Sequence, residues 1–307
     1  METIRTKALL KQMQSLPLQR KIELSIAKII EWYKNNDGKV YVAFSGGKDS
    51  TVLLHLVRRV FPDVLAVFSD TGLEYPEIKE FVKTQENVKI IKPKMSFRQV
   101  IEKYGYPVAS KEIATVIEGA RAGKDWALYR LNAPNTQRCA IKNRWKNLID
   151  APFKISAKCC WHMKKGPLKS FARKTGLKPY IGNLAEESAM RENSWLATGC
   201  NNYSKDGSSQ PLSFWTEQDI LQYIKLCKLP IAKVYGDAIE VDGKLTTTGV
   251  NRTGCIFCMF GVHFDKEPNR FQMLAQTHTQ LYNYCMKPYD KGGLGINNVL
   301  DYIKIPY

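Results

Sequence analysis

Hydrophobic residues in the first third of the chain follow two alternating patterns. Over residues 16–34, apolar side chains recur at the spacing of an amphipathic helix: Ile22, Ile26, Ile29, Ile30 and Tyr33. The Asn-Asn-Asp-Gly segment that follows is a helix stop signal. Short apolar runs then alternate with helical patterns, predicting strand 40–44, helix 49–60, strand 64–69, helix 77–83 and strand 88–91. This alternation implies a doubly wound, mainly parallel α/β sheet with right-handed crossovers.

The rest of the chain is less regular. Helices are predicted over 110–122 and 167–174, and a strand is predicted to end at Tyr180-Ile181. The segment Thr216–Asp219 resembles a capping box that begins a helix over 219–226. A Gly- and Thr-rich loop over 243–254 precedes a final helix over 269–286.

One predicted strand runs directly into a glycine turn that precedes a helix. The turn consists of Ser45, Gly46, Gly47, Lys48, Asp49 and Ser50. Glycines let backbone N–H groups approach phosphate oxygens, the helix adds the positive end of its dipole, and Lys48 supplies a charge. The spacing differs from the Walker A and G-x-G-x-x-G patterns. An ordinary polar turn is the alternative, but the flanking strand and amphipathic helix favour a phosphate-binding loop.

Composition and charge favour a folded protein with anionic partners. Hydrophobic residues make up 44% of the 307 residues, and the net charge is +17. This charge favours nucleotides, sulfate esters or nucleic acid, although it could also serve only solubility. The first residues lack the apolar core of a signal peptide, and no stretch approaches the length of a membrane span. We therefore expect a cytoplasmic protein with no membrane partner, whose cysteines stay reduced.

Four of the eight cysteines form two close pairs. Cys159 and Cys160 are adjacent, and Cys255 and Cys258 form a C-x-x-C pair. Four thiolates are the number that a cubane iron–sulfur cluster needs, whereas adjacent cysteines rarely fit one tetrahedral zinc ion. Four small buried hydrophobic residues are the alternative. The remaining cysteines are predicted to be core residues: Cys139, Cys200, Cys227 and Cys285.

The glycine turn resembles the PP-loop of ATP pyrophosphatase-type enzymes, found in N-type ATP pyrophosphatases, tRNA thiolation enzymes and sulfonucleotide reductases. In that family the loop binds the β,γ-pyrophosphate of ATP, or an equivalent anion in the reductases. Residues 69–77 resemble the Asp-Thr-Gly…Pro-Glu motif of the phosphoadenosine phosphosulfate (PAPS) reductase branch. The resemblance covers roughly residues 38–260 and implies an adenine nucleotide α-hydrolase-like fold, with Asp70, Thr71 and Gly72 at the nucleotide site.

The resemblance and the helical patterns divide the chain into three expected parts. Residues 1–37 form an N-terminal helical segment, and residues 38–230 form the PP-loop nucleotide-binding domain. Residues 231–307 form a helical and loop extension that carries the C-x-x-C pair.

The cysteine pattern resembles the Cys-Cys…Cys-x-x-Cys signature of adenylylsulfate (APS) reductases, which bind a 4Fe-4S cluster. Residues 164–168 (Lys-Lys-Gly-Pro-Leu) resemble the basic-x-Pro-Leu segment after the Cys-Cys pair. Residues 252–255 (Arg-Thr-Gly-Cys) match the Arg-x-Gly-Cys start of the second pair. DNA phosphorothioation sulfurtransferases carry similar clusters. The resemblance therefore implies that the four paired cysteines bind a 4Fe-4S cluster.

A third segment, residues 182–191, resembles the family motif Gly-x-Arg-x-x-Glu-Ser-x-x-Arg. Four positions match: Gly182, Glu187, Ser188 and Arg191. Leu184 stands where the family has its first arginine, which normally helps to hold an anionic group. Arg191 could still bind a phosphate or sulfate bidentately, or could instead form an i, i+4 salt bridge with Glu187.

The C-terminus also departs from the family. Sulfonucleotide reductases carry a catalytic cysteine in a C-terminal Cys-Gly-(Leu/Ile)-His segment. The last cysteine of this chain, Cys285, lies in Tyr-Cys-Met-Lys instead. Without that nucleophile an S-sulfo-enzyme intermediate cannot form in the usual way.

Three functional hypotheses follow. The first is ATP-dependent sulfur transfer through an adenylylated acceptor, in which Lys48 stabilises phosphate charge, Arg191 binds an anion, and Asp70 or Asp49 positions Mg²⁺. The second is an APS or PAPS reductase that uses Cys285 or the thiol of a partner. The third is a non-catalytic nucleotide and redox sensor. A sulfur donor protein, a thioredoxin-like reductant and nucleic acid are the expected macromolecular partners.

Overall fold

A computed structural model of the protein describes residues 5–307. Residues 1–4, with which the predicted segment 1–37 begins, lie outside the described residues. None of the helices between residues 5 and 307 is both long enough and apolar enough to cross a membrane.

Helices account for most of the regular structure. The α-helices are α1 (Lys7–Gln14), α2 (Leu18–Asn35), α3 (Lys48–Val60), α4 (Pro76–Lys83), α5 (Phe97–Tyr104), α6 (Lys111–Arg121), α7 (Asp125–Asn132), α8 (Gly166–Thr175), α9 (Ala189–Thr198), α10 (Glu217–Cys227), α11 (Arg270–Thr277), α12 (Thr279–Met286) and α13 (Ile296–Tyr302). Four 3₁₀ segments are described: Asn143–Asp150, Ala185–Glu187, Lys233–Tyr235 and Val262–Phe264. A π-helical turn, Trp161–Lys165, directly follows the Cys159-Cys160 pair.

The strands form one central sheet and two small pairs. They are β1 (Val40–Ala43), β2 (Ala66–Ser69), β3 (Val88–Ile91), β4 (Val108–Ala109), β5 (Lys178–Ile181), β6 (Ala238–Val241), β7 (Lys244–Thr247) and β8 (Met259–Phe260). The central sheet has the order β3-β2-β1-β5. All its neighbours are parallel, with Val42 opposite both Ala66 and Tyr180. The predicted α/β fold with a parallel sheet is therefore confirmed.

Both faces of the central sheet are covered by helices. On one face Phe171 of α8 packs against Tyr41 and Val67, and the Tyr41 and Phe171 rings meet edge to face at 5.2 Å. Helices α2, α3 and α10 pack against one another, and α3 also contacts β1 and β5. The residues of β1 are apolar at successive positions because a strand in the middle of a parallel sheet is buried on both faces.

The chain divides into two compact units, each assembled from several segments. Of the described residues, the first unit comprises 5–70, 74–92 and 167–253, and it contains the central sheet. The second comprises residues 71–73, 93–166 and 254–307. In the second unit, β4 pairs in parallel with β8, so that Val108 lies opposite Met259.

Two regions differ from the predicted elements. The predicted loop over 243–254 contains β7, which pairs with β6 as an antiparallel hairpin around Asp242-Gly243. Both turn residues have positive φ, as a tight hairpin turn requires. The predicted final helix over 269–286 is two helices, α11 and α12, which meet at His278. A further helix, α13, follows them.

The predicted capping box at Thr216–Asp219 is confirmed, and it is joined to a buried ion pair. The Thr216 hydroxyl accepts from the Asp219 amide, and the Asp219 carboxylate accepts from the Thr216 amide at 2.7 Å. Lys21 of α2 lies 2.6 Å from the same carboxylate, and its side chain is only 2% exposed. Asp219 therefore completes the N-terminal capping box of α10 and neutralises a cation from α2.

Replacing Lys21 with alanine should destabilise the protein far more than replacing Lys28 on the same helix. Lys21→Ala leaves the Asp219 carboxylate buried without its cation, which costs about 3–5 kcal/mol. The Lys28–Glu31 pair is exposed, so Lys28→Ala should cost no more than about 1 kcal/mol. The urea midpoint of unfolding, followed by circular dichroism, measures the difference. Equal midpoints for the two variants would contradict the role assigned to Lys21.

Candidate functional site

The predicted phosphate loop lies at the carboxyl end of β1, in the middle of the central sheet. Strand β1 lies between β2 and β5, where the order of the strands reverses along the chain. Open α/β sheets bind ligands at such a point, outside the carboxyl ends of the strands. The loop crosses from β1 to α3, which begins at Lys48.

Two glycines are required here by close contacts. Gly46 has φ of +73°, and a Cβ there would lie 2.8 Å from the Cγ2 atoms of Ile78 and Val82. Gly182 follows β5, and a Cβ there would lie 3.2 Å from the Asp49 carbonyl oxygen and the Ser50 Cα. Gly182 therefore lets the end of β5 pack against the first turn of α3.

The loop is held by hydrogen bonds from its own serines. The amide of Ser45 donates to Ser50 Oγ at 3.2 Å, and the amide of Gly47 donates to Ser45 Oγ at 3.3 Å. The N-cap of α3 is Gly47, which has no side chain to cap the first amides. The amide of Lys48 donates to the Tyr235 hydroxyl at 3.1 Å. The first turn of a helix is a favourable place for an anion, because its amides lack partners within the helix.

Lys48 carries a buried positive charge at the start of α3. Its side chain is 6% exposed, and Nζ lies 3.1 Å from Glu217 Oε1 and 3.0 Å from the Asn251 carbonyl oxygen, to which it donates. Burial alone would lower the pKa of Lys48, but the carboxylates of Asp49 and Glu217 outweigh this effect and raise it. Lys48 is therefore cationic at neutral pH and already neutralised by protein carboxylates.

Asp49 is a second acidic or basic group in the loop, and its side chain is half-buried. Its Oδ1 atom lies 3.6 Å from Lys48 Nζ, and among residues 5–307 it has no hydrogen-bond partner. Burial raises the pKa of Asp49, and the nearby Lys48 charge opposes that rise. A buried carboxylate oxygen without a donor is suited to bind a cation such as Mg²⁺.

The Asp-Thr-Gly motif follows β2. In the first unit the Asp70 amide donates to the Ile91 carbonyl, and the Asp70 carboxylate lies 2.7 Å from Lys79 Nζ. Thr71 and Gly72 belong to the second unit, where Thr71 Oγ1 accepts from the Leu73 amide at 3.2 Å. The Ile256 amide donates to the Leu73 carbonyl, which connects this segment to the C-x-x-C segment.

In the third motif, Glu187 and Ser188 mainly order the backbone. Ser188 is the N-cap of α9 and accepts from the Arg191 amide. The Glu187 carboxylate accepts from the Leu184 amide at 3.2 Å and pairs with both Arg191 and Arg252. Burial, and then the charge of Arg252, lower the pKa of Arg191. The salt bridge between Glu187 and Arg191, which the sequence left as an alternative, is present.

The four paired cysteines all belong to the second unit. Their thiol groups interact electrostatically, and the pKa of Cys159 is raised by its hydrogen bond to Cys160, by burial, and by the charges of Cys258 and Cys255. Burial raises the pKa of Cys258 to about 11, and Cys255 adds to the rise. Within residues 5–307 no three His, Cys, Asp or Glu side chains converge in a group that could hold a metal ion.

Two basic residues, Arg270 and Lys111, interact with the segments that carry the paired cysteines. Arg270 Nη1 donates to the carbonyls of Cys258 at 3.0 Å and Phe260 at 3.1 Å, and its guanidinium pairs with Asp265. The hydrogen bond from Cys159, followed by the charge of Lys111, lowers the pKa of Cys160 despite its burial. The surroundings therefore favour negative charge on the Cys160 sulfur, whereas those of Cys159 and Cys258 disfavour it.

Among the remaining cysteines, Cys200 and Cys285 are buried. Cys285 is 0% exposed, and burial raises its pKa to about 12. A buried thiol with a raised pKa is a poor nucleophile. The prediction of a core position is therefore confirmed for these two residues.

Three residues around Lys48 were not predicted as site residues. Tyr235 binds the Lys48 amide, Asn251 accepts from its ammonium, and Glu217 pairs with it. Tyr235 and Asn251 lie in a segment with no periodic pattern, so the sequence offered no signal for them. Glu217 was recognised only as part of a helix start.

The chain belongs to the phosphoadenosine phosphosulfate reductase domain family, whose pattern matches residues 39–117 and 129–259. Adenosine 5'-phosphosulfate reductase 2 of Bacillus subtilis is 22% identical over 214 residues, or 67% of this chain and 72% of that protein. An uncharacterized protein of Methanocaldococcus jannaschii is 39% identical over 249 residues, or 76% of this chain. The chain spans only 39% of the length of that methanogen protein.

Among solved structures, a PAPS reductase from Candida auris in complex with phosphate is similar to this chain. It has a TM-score of 0.41 and 16% identity, and the match covers 74% of this chain and 90% of that one. The family resemblance predicted from the motifs is confirmed by the family pattern. The binding roles of the individual site residues stay predictions.

Substitutions at Lys48 and Glu217 should change anion affinity in opposite directions. Lys48→Ala removes the buried cation and should weaken binding of ATP or pyrophosphate by about tenfold or more, as expected for a charge-assisted contact. Glu217→Gln removes the carboxylate that pairs with Lys48, so the affinity should rise. Isothermal titration calorimetry measures both.

Lys225→Ala is the matched control, because Lys225 is an exposed residue of α10. It should leave the affinity unchanged. Unaltered binding by Lys48→Ala, with its fold verified by circular dichroism, would show that Ser45–Ser50 is only a structural turn.

Proposed function

We propose that this protein is a PP-loop enzyme that uses ATP to activate an acceptor for sulfur transfer. The observation that carries the proposal is the buried Lys48 ammonium at the uncapped start of α3, at the switch point of a parallel sheet. The loop would hold the β- and γ-phosphates of ATP, with main-chain amides and Lys48 as donors.

The proposed reaction has two displacements. An acceptor oxygen attacks the α-phosphorus of ATP, and the bond to the bridging oxygen breaks as pyrophosphate leaves with the electron pair. Lys48 and the loop amides stabilise the negative charge that develops on this leaving group. A hydrosulfide-type sulfur donor then attacks the acceptor carbon, and AMP leaves with its oxygen. A sulfur donor protein would supply that sulfur, and nucleic acid or a small molecule would be the acceptor.

The two arginines that pair with Glu187, Arg191 of the third motif and Arg252, would act on the nucleotide through charge. Arg252 is 67% exposed and shares Glu187 with Arg191, so an anion could replace the carboxylate as its partner. The charge of Arg252 also opposes the rise in the pKa of Asp49, which supports a role for Arg252 near the loop. Asp49, whose Oδ1 lacks a hydrogen-bond donor among the described residues, would position Mg²⁺, and Asp70 would assist if released from Lys79.

Sulfonucleotide reduction is the second candidate, favoured by membership of the PAPS reductase domain family. The same loop would then bind the phosphate groups of APS or PAPS. Cys285 is unsuited to attack the sulfur, because it is fully buried with a raised pKa. The thiol would therefore come from a partner such as a thioredoxin-like reductant.

We further propose that Cys159, Cys160, Cys255 and Cys258 bind a 4Fe-4S cluster. The proposal is supported by the four thiols lying in one unit and acting on one another electrostatically. Binding to iron would relieve the repulsion between neighbouring thiolates. Arg270 would hold the backbone of the second pair, and Lys111 would offset negative charge at Cys160. Such a cluster supplies a redox centre or a site for sulfur, and it accords with the cytoplasmic location predicted from the sequence.

Product analysis separates the candidate functions. The anaerobically purified protein, given ATP, a sulfide donor and candidate acceptors, should release AMP and pyrophosphate in equal amounts. Lys48→Ala should abolish that release, because charge on the leaving group is no longer stabilised. Sulfite formation from APS with thioredoxin, without AMP release from ATP, would instead establish the reductase. Nucleotide binding with neither reaction would leave the sensor hypothesis.

Substitution of the paired cysteines tests the cluster. Cys159→Ser and Cys258→Ser should each abolish the brown colour, with loss of the iron–thiolate absorbance near roughly 400 nm. Cys139→Ser, in the same unit but outside both pairs, should keep it. Iron and sulfide analysis of the three proteins gives an independent measurement. Unchanged colour and iron content in both paired-cysteine variants would refute the assignment.

A further inference from the structure

A cavity of about 530 Å³ lies within the second unit. It is lined by residues of the 3₁₀ segment Asn143–Asp150, by His263 and by the end of α13. None of these residues belongs to the phosphate loop, the three motifs or the cysteine pairs. The size is within the range of small-molecule binding sites.

All the charged side chains that line the cavity are basic. Arg144 and Lys304 are exposed cations, and no carboxylate is found among the described residues that line it. The adjoining segment 138–146 contains Arg138, Lys142, Arg144 and Lys146 and no acidic residue. The positive potential at this cavity therefore selects an anionic ligand.

Planar groups contact one another in a row beside the cavity, edge to face or tilted rather than stacked. The Arg144 guanidinium lies 4.8 Å from the centre of the Trp145 ring, and Trp145 meets His263 edge to face at 4.8 Å. The His263 and Phe264 rings are 4.0 Å apart. Phe264 is 76% exposed, which is unusual for a phenylalanine and leaves a free aromatic surface. Such surfaces stack on nucleobases.

Hydrogen-bonding groups complete the lining. The amide side chains of Asn143 and Asn147 offer both donors and acceptors. The Nδ1 atom of His263 is buried and, within residues 5–307, has no hydrogen-bond partner. Burial and the charge of Arg144 lower the pKa of His263, so a neutral imidazole with one donor and one acceptor is favoured. A ligand with a polar planar edge would use these groups.

We propose that this cavity binds a nucleoside monophosphate unit. Arg144 and Lys304 would pair with the phosphate, the exposed Phe264 ring beside His263 would hold the base, and the asparagine amides would bind its edge. A simple anion would not need the exposed aromatic ring, and an apolar ligand would not need the cations. The unit could be a free nucleotide or one residue of a single-stranded nucleic acid, and the two sources share this chemistry.

The test uses the whole chain of 307 residues and two probes without adenine. One is a fluorescein-labelled single-stranded oligo(dT), followed by fluorescence anisotropy, and the other is free thymidine monophosphate, followed by calorimetry. Phe264→Ala and Arg144→Glu alter exposed side chains, so both variants should fold. Lys291→Ala and Tyr129→Ala, exposed residues of the same unit that do not line the cavity, are the controls.

We expect Phe264→Ala and Arg144→Glu each to weaken binding by about fivefold or more, and Arg144→Glu to reduce the salt dependence by about one phosphate contact. The controls should remain within about twofold of the unaltered protein, because their side chains do not line the cavity. A loss confined to oligo(dT) identifies a nucleic acid strand as the source, and a loss with thymidine monophosphate as well identifies the nucleotide itself. Equal affinities for the cavity variants and the controls, or no binding of either probe, would overturn the proposal.

Discussion

A positive charge buried at the start of α3 is the constraint on which the candidate site of the first unit depends. The Lys48 ammonium is almost excluded from water, and a cation in that position must be neutralised. Glu217 from α10 and Asp49 from the loop provide the charges, while Asn251 provides a carbonyl oxygen. Segments far apart in sequence therefore converge on one side chain, and Tyr235 joins them through the Lys48 amide.

Within the loop itself, the backbone conformation is held by close packing at two glycines and by hydrogen bonds from its serines. Gly46 and Gly182 provide space where the backbone approaches Ile78 and the first turn of α3. The serines then bond to the loop itself, and Gly47 leaves the helix start without a side-chain cap. The start of α3 also lies where the order of the strands reverses, and open α/β sheets bind ligands at that point. The cysteine pairs are built separately, from segments joined by β4 and β8 in the second unit.

Most of the central sheet could be predicted from the sequence because its signals are local. Strand Val88–Ile91 and the capping box at Thr216 follow from short patterns of apolar and capping residues. The hairpin of β6 and β7 escaped prediction because its exposed residues lack a clear alternation and its threonines suggest a loop. The break at His278 escaped because no proline or glycine marks it.

The candidate site shows the same division between local and distant signals. Residues 45–50 carry a motif that can be recognised in isolation, and so do the cysteine pairs. Asn251 accepts from Lys48 through its main-chain carbonyl, which every residue type has. The identity of residue 251 therefore could not reveal this contact. The contacts of Tyr235 and Glu217 with Lys48 join residues that are far apart in the sequence, so a local sequence pattern could not predict them. The ion pair of Glu187 with Arg191 was recognisable from its i, i+4 spacing, but its second partner, Arg252, was not.

The carboxyl groups of the first unit also make anion binding at the proposed phosphate loop dependent on protonation. Burial raises the pKa of both Asp49 and Glu186, and the Glu186 carboxylate accepts a hydrogen bond from the Glu217 amide. A phosphate bound at the proposed loop would add negative charge beside Asp49 and would raise the proton affinity of that carboxyl group further. Occupation of the loop would therefore favour proton uptake, so that anion affinity and pH would be linked.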